Sequence, residues 1–318
     1  MTATLGTRRV AESIDDLVGN TPLLRLPAAH ATVLAKLESA NPGSSVKDRA
    51  ALWMLRGAER DGLLTPGSGT VIEATSGNTG IALAALSAAR GYRCVIVLPD
   101  NATRERIGLL RALGARVELT PAELRYQGCI DRAKELHEAT PGSWFPQQHA
   151  NPDNPAAHFE STGPEIWADT AGTVDILVAG IGTGGTLCGT AAYLKSQNPL
   201  VQAVGVEPEG SPLLSRGHAG SHAIPGLNGG FVAETTDVAL IDDVLAVGNE
   251  DAANTALWLA RRAGVLAGIS SGAAVFGALR VAERPENAGK TIVTILPDTG
   301  ERYLSVLTAG DTTRGADR

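Results

Sequence analysis

Three glycine-rich turns and one lysine carry the residues whose types and spacing suit chemistry. The turns are TSGNTG at 75–80, GIGTGGT at 180–186 and GISSGA at 268–273, each leading into a helix-like stretch. A helix N-terminus offers unpaired N–H groups and a partial positive charge, so each turn is a candidate anion site. Two such sites plus a third polar turn suit a ligand with two separate negative groups. GIGTGG also matches G-x-G-x-x-G through Gly180, Gly182 and Gly185, with Glu207 ending the next strand, so a nicotinamide cofactor is one reading. Thr183 and Thr186 crowd that turn with hydroxyls, which suits a terminal phosphate monoester instead. The chain has no G-x-x-x-x-G-K-[ST] sequence, which argues against a nucleoside-triphosphate loop.

The lysine is Lys47, in NPGSSVKDR at 41–49. It stands at the start of a helix, the end where the macrodipole disfavours a cation. A lysine so placed is suited to act as a neutral amine, since burial and a positive helix end both lower its pKa, as Schiff-base chemistry requires. The competing reading is an exposed first-turn lysine paired with Asp48 or Glu73. His149, beside Gln148, reads as a hydrogen-bonding loop residue rather than an acid–base group. The six histidines show no metal-ligand spacing, so no metal is expected.

NPGSSVKDR, TSGNTG, GIGTGGT, GISSGA and PDTGERYLS (297–305) occur in the order and spacing of the cysteine synthase family, the O-acetylserine sulfhydrylases. The sequence resembles that family from about Ile14 to Leu307. The resemblance implies an α/β protein of PLP fold type II, with two three-layer α/β/α domains, mostly parallel sheets, and pyridoxal 5′-phosphate (PLP) in the cleft between them. It implies that Lys47 is the catalytic residue, holding the cofactor as a Schiff base and shuttling the substrate α-proton. Gly182, Thr183, Gly184, Gly185 and Thr186 match the phosphate cradle, Asn78 the group bonding the cofactor 3′-oxygen, and Ser270 the serine facing the pyridine nitrogen. Thr75, Ser76, Thr79 and Gln148 match the holders of the substrate α-carboxylate. Gly226, in IPGLNGG, matches a backbone contact near the substrate amine. A serine cannot keep the ring nitrogen protonated as a carboxylate would, which favours β-elimination over transamination. Ser271 is then left to cap the helix over 272–283.

The activity implied is β-replacement on an activated L-serine, with O-acetyl-L-serine and sulfide giving L-cysteine and acetate. Relatives of the same chemistry would use O-phosphoserine, thiosulfate or an amine. A cystathionine β-synthase-like activity fits less well, because an added haem segment and a regulatory tail are not expected. A catalytically silent partner-binding homologue is opposed by the intact Lys47, Ser76 and Asn78. The chain departs from the family pattern at Ala102, usually methionine, at His149, commonly aromatic, and at GLNGG (226–230), usually G-I-G-A-G. These departures leave the cofactor chemistry intact and bear on the second substrate. PDN (99–101) with NPDNP (151–155) is similar to the isoform that accepts thiosulfate. The partners implied are an amino-acid substrate and a sulfur nucleophile, in a homodimer that admits a complex with serine acetyltransferase.

Positioning these groups requires regular β-α alternation, which implies parallel sheets with covering helices. Expected strands are 32–38, 70–74, 93–98, 116–119, 175–181, 202–207, 238–247 and 290–296. Expected helices are 48–61, 79–90, 103–113, 127–138, 156–168, 187–196, 250–263 and 272–283. The Asn/Pro-rich HANPDNPAAH (149–158) and SANPGSS (39–45) mark the boundaries between two domains. The smaller, mobile α/β domain is 41–150, carrying Lys47 and the carboxylate loop. The larger is 1–40 plus 151–318, and binds the cofactor phosphate.

Composition agrees with two such domains in 318 residues, at roughly 150 residues each. With 27 basic against 34 acidic residues the net charge is −7, and no basic run offers a surface to nucleic acid or an anionic membrane. Aromatics are only 4%, too few for base-stacking platforms. Cys94, Cys129 and Cys188 are odd in number and form no C-x-x-C pair, so a reducing cytosol is expected, with Cys94 buried in its apolar run. The first 19 residues lack the apolar segment of a signal peptide, and IALAALSAA (81–89) falls short of the ~20 residues of a membrane span.

Overall fold

A computed structural model describes residues 10–75 and 77–307, so Ser76 lies outside the described residues. The chain forms β1 (Leu23–Leu26) and β2 (Thr32–Leu37), then β3 (Thr70–Ala74), β4 (Arg93–Pro99), β5 (Arg116–Thr120) and β6 (Ser143–Trp144). β7 (Ile176–Gly180), β8 (Gln202–Pro208), β9 (Asp243–Val247) and β10 (Thr291–Leu296) follow. One sheet has six strands in the order β1-β2-β10-β7-β8-β9, and the other has four in the order β5-β4-β3-β6. Every pairing is parallel except β1 with β2.

Helices cover both faces of both sheets, which is why the inner strands read as continuous apolar runs. All five residues of β3 are buried. On one face of the smaller sheet, α1 (Lys47–Arg60) and α2 (Asn78–Arg90) bury Met54, Leu55 and Leu83 against Val71 and Ile96, with α3 (Arg104–Ala112) adding Leu110. On the other, α4 (Arg125–Glu138) packs Cys129 and Ala133 against Ile72 and Val97. α5 (Asp153–Ala157), α6 (Gly163–Asp169) and α7 (Gly185–Gln197) lie on the side of the larger sheet where Ile166, Leu187 and Leu194 meet Leu177, Val293 and Ile295. After α8 (Leu213–Arg216), α9 (Asn249–Trp258) and α10 (Ile269–Ala282) cover the opposite face, and α11 (Leu304–Leu307) ends the described chain. Cys94, Cys129 and Cys188 are free and buried.

The structure differs from the sequence expectations in five places. β1 and β6 were not expected. The run 238–247 is a strand only from Asp243, because Val238–Leu240 coils into a 3₁₀ turn capped by the Asp237 carboxylate, which accepts from the Ala239 N–H at 3.0 Å. The helix expected over 156–168 begins at Asp153 and passes through a π-helical turn at His158–Thr162. α10 begins at Ile269 with Gly268 as its N-cap, so Ser271 does not cap it; the buried Ser271 hydroxyl has no hydrogen-bond partner.

A buried ion network ties the first turn of α1 to the larger sheet. Arg49 Nε meets Glu38 Oε2 at 2.7 Å, Arg49 Nη1 meets Glu165 Oε1 at 2.6 Å, and Lys36 Nζ meets Glu165 Oε2 at 2.8 Å. The Arg49, Glu38 and Lys36 side chains are fully buried. Removing one member of such a buried pair costs about 3–5 kcal/mol, so the network sets the position of Lys47 two residues away. Among the described residues, no helix is long and apolar enough to cross a membrane.

Candidate active site

The turns that follow β3, β7 and β10 meet in one cleft, as loops at the carboxyl ends of parallel strands do. Lys47, Asn78, Gly182, Thr183, Gly184, Thr186, Gly226 and Ser270 line a single cavity with Asp298 and Tyr303. An adjoining cavity shares Lys47, Asn78 and Gly226 with it and adds Thr75, Thr79 and Gln148. Gly185 stands behind the turn as the first residue of α7, where a Cβ would lie 2.2 Å from Asn154 Oδ1.

Lys47 is the first residue of α1, and the chain before it is pinned by the Val46 N–H, which donates to the Pro297 carbonyl at 2.8 Å. Among the described residues the Lys47 amine makes no hydrogen bond or ion pair. Asp48 and Glu73 are engaged elsewhere: Asp48 accepts from the Gly43 N–H, and Glu73 from the N–H groups of Ala74 at 2.9 Å and Gln148 at 3.4 Å. An exposed, paired lysine is therefore not what the chain builds. Burial lowers the Lys47 pKa to about 8, against the opposing pull of the Asp298 carboxylate. In cofactor-free protein, acylation of Lys47 should rise with a midpoint near pH 8 in a peptide-mapped pH series. A midpoint near the ~10.4 of an unperturbed lysine contradicts this.

The 180–186 turn is shaped by close backbone approach. A Cβ at Gly182 would lie 2.3 Å from the Gly226 carbonyl oxygen, and Gly184 holds a φ of +78° against Thr236. Thr235 and Thr236 hydroxyls donate to the Thr183 carbonyl at 2.6 and 3.1 Å, and Asn154 Nδ2 donates to Thr183 Oγ1 at 3.0 Å. Thr186 Oγ1 lies 3.2 Å from Nε2 of His158, a ring that burial keeps neutral with a pKa lowered to about 3. The turn thus presents the N–H groups of the first turn of α7 to the cavity from a fixed frame.

Asn78 opens α2 and joins residues of PDTGERYLS, a segment that the sequence marks without assigning its side chains a role. Its Nδ2 donates to Asp298 Oδ2 at 2.7 Å, and its Oδ1 accepts from Arg302 Nη1 at 2.6 Å. Tyr303 donates to the same Asp298 oxygen at 2.6 Å. Burial raises the Asp298 pKa against these hydrogen bonds. An acid one residue past the apolar strand TIVTIL, after Pro297, was the available signal for Asp298. Thr79 Oγ1 donates to Gln148 Oε1 at 2.6 Å, and the Gly77 N–H donates to Thr75 Oγ1 at 3.2 Å. Ser270, in the first turn of α10, is 6% exposed. His149 lines the adjoining cavity, and its ring makes no hydrogen bond among the described residues, contrary to its reading as a hydrogen-bonding bystander. No group of three or more His, Cys, Asp or Glu residues able to hold a metal occurs among the described residues.

An amine without a partner, opposite a backbone turn able to take an anion, suits an aldehyde that also carries a phosphate. The family described as pyridoxal-phosphate dependent enzyme matches residues 14–298. A cysteine synthase of Staphylococcus aureus is 45% identical over 303 residues, spanning 94% of this chain and 97% of that one. The crystal structure of an O-ureido-L-serine synthase is similar with a TM-score of 0.92 and 44% identity, over 97% of this chain and 98% of that one. A cysteine synthase from Entamoeba histolytica gives a TM-score of 0.93 and 37% identity, over 99% and 96%.

Proposed function

This chain belongs to the family of pyridoxal-phosphate dependent enzymes, and from that premise we propose that it makes L-cysteine and acetate from O-acetyl-L-serine and sulfide. The observation that carries this reading is the Lys47 amine, without a partner among the described residues, sharing one cavity with the Gly182–Thr186 turn. The residues fit the cofactor. The amine is free for its aldehyde, the turn leaves no room for a Cβ at Gly182, and Asn78 keeps one amide hydrogen beyond that given to Asp298. When bound, pyridoxal phosphate supplies the electron sink that loosens the substrate α-proton and lets the β-substituent leave.

In this reading the chain's own groups do the rest. Lys47 holds the cofactor and carries the α-proton on Nζ, a task suited by a pKa of about 8. Gly182, Thr183, Gly184, Gly185 and Thr186 bind the phosphate, Asn78 the 3′-oxygen, and Ser270 the ring nitrogen. Thr75, Ser76, Thr79 and Gln148 take the substrate carboxylate, with the Thr79–Gln148 hydrogen bond orienting the amide. Gly226 lies at the substrate amine. The division into 1–40 plus 151–318 and 41–150 is supported by sheet membership, since β3 to β6 form the smaller sheet alone. Closure of 41–150 on the substrate would exclude water before the β-group leaves. The three free, buried cysteines support a cytoplasmic setting. A homodimer and a complex with serine acetyltransferase rest on the resemblance alone.

A second reading keeps the chemistry and changes the nucleophile. It is kept open by the 44% identity to the O-ureido-L-serine synthase, nearly equal to the 45% shared with the Staphylococcus aureus cysteine synthase. One experiment separates the two. O-Acetyl-L-serine alone should release one equivalent of acetate and leave a persistent spectral change, and sulfide should then yield cysteine and restore the first spectrum, with ping-pong kinetics. No acetate from O-acetylserine, but release from O-phosphoserine or free serine, rejects the donor. Acetate release followed by no reaction with sulfide rejects the nucleophile.

A further inference from the structure

His149 is held in place from two sides yet, among the described residues, has no partner at either ring nitrogen. Tyr126 meets it edge-on with ring centroids 5.8 Å apart, and Phe231 does the same at 5.2 Å. Its carbonyl accepts from the Thr235 N–H at 3.2 Å, which fixes the backbone. The ring lines the cavity that Lys47 also lines, and no group among the described residues hydrogen-bonds to it. A positioned imidazole in that state has one nitrogen lone pair and one N–H to offer a bound molecule. An aromatic ring without a basic nitrogen would pack between Tyr126 and Phe231 but accept no proton. Burial, then the charge of Lys47, lowers the His149 pKa to about 4, so the ring is neutral at physiological pH. Arg106 and Tyr126 line the same cavity and Phe231 covers the ring, so no carboxylate there holds His149 charged.

We propose that His149 takes the proton of the incoming nucleophile, so that the site accepts neutral thiols as well as hydrosulfide. The inference rests on the β-replacement reading. Acetate leaves first with the electron pair of its C–O bond. The thiol sulfur then bonds to the substrate β-carbon using the electron pair of its S–H bond, and the proton passes to an imidazole nitrogen. Lys47 returns a proton to the α-carbon, and the imidazolium releases its own to water. The sum is O-acetylserine plus thiol giving an S-substituted cysteine, acetate and one proton.

The test uses holoenzyme first charged with O-acetylserine until acetate release ends. It is then mixed at pH 7 with 2-mercaptoethanol, which is neutral and must lose a proton, or with azide, which has none to lose. The ratio of the thiol rate to the azide rate should fall roughly 100-fold in His149→Phe, the scale of general-base catalysis. His149→Asn, which hydrogen-bonds but takes no proton, should fall with it, and serves alone should the Phe variant fail to release acetate. An unchanged ratio in a variant that releases acetate overturns the role of His149. Absence of acetate release in the unsubstituted enzyme overturns the β-replacement reading, and this inference with it. In cofactor-free protein, the ring resonance lost in His149→Phe should titrate below pH 5 by NMR, in keeping with a pKa of about 4. A midpoint near the unperturbed ~6.5 contradicts the enclosure of the ring between Tyr126 and Phe231 from which the role is argued.

Discussion

Lys47→Ala should abolish covalent cofactor and lower turnover by roughly 1,000-fold or more, about 4 kcal/mol of transition-state stabilisation. The chain has five lysines, and the others are unsuited to the task. Lys36 is sealed in the ion network with Glu165, Lys195 pairs with Asp242 at 2.7 Å, and Lys290 donates to Asn287 at 2.8 Å. Lys134 is exposed on α4, remote in role from the cleft. Borohydride reduction of the yellow protein followed by peptide mapping should place the label on the peptide containing Lys47. Label on any other lysine rejects the assignment. Loss of activity should not reflect unfolding. The native pKa of about 8 lies below the 10.5 of the unfolded chain, so the protonated lysine costs stability below pH 8. That cost fades as pH rises from about 8 to 10.5. At pH 7 the alanine variant should therefore melt no earlier than the cofactor-free parent protein.

Ser270→Asp should slow acetate release by roughly 100-fold, about 2.7 kcal/mol. A serine offers the ring nitrogen a neutral hydrogen bond, whereas an aspartate would hold a proton there. The stronger sink would retain the electrons freed at the α-carbon, where the reaction needs them to expel the β-group. The fold itself should accept the change. Ser270 is the second residue of α10 and lines the cavity, so the helix dipole offsets part of the cost of burying a carboxylate there. Stopped-flow acetate release and thermal melts on the same preparation distinguish the two effects. An aspartate variant that releases acetate at the parent rate contradicts the role of Ser270, and Ser270→Ala should lose far less than the aspartate.

Legibility followed burial. β3, β4, β7, β8 and β10 are covered on both faces, so their β-branched runs stand out in the sequence. β6 is two residues long and exists through its pairing with Thr70 and Val71, which leaves no pattern to read. In 238–247 the Asp242 carboxylate accepts from the Ala203 N–H at 2.6 Å and pairs with Lys195, so the chain joins the sheet only afterwards. The glycines of 180–186 were readable because each marks a place where a neighbour, Leu227, the Gly226 carbonyl, Thr236 or Asn154, comes too near for a side chain. Asp298 was not, because its role comes from Asn78, 220 residues earlier in the chain. The vacancy of the His149 ring likewise depends on Tyr126 and Phe231, which no local window contains.

The strand order of the larger sheet has a consequence for synthesis on the ribosome. β2 lies between β1 and β10, so its parallel neighbour is the last strand made. The smaller sheet is complete once Trp144 has emerged, but β1 and β2 must wait unpaired on one edge until Leu296 follows. At about 5–20 residues per second, that interval is roughly 10 to 50 s. During it the nascent chain exposes an apolar hairpin whose docking site does not yet exist, and the cavity at Lys47 still lacks Ser270 and Asp298. The cofactor can therefore be captured only by a nearly finished chain, and truncated products should emerge colourless and in need of chaperones.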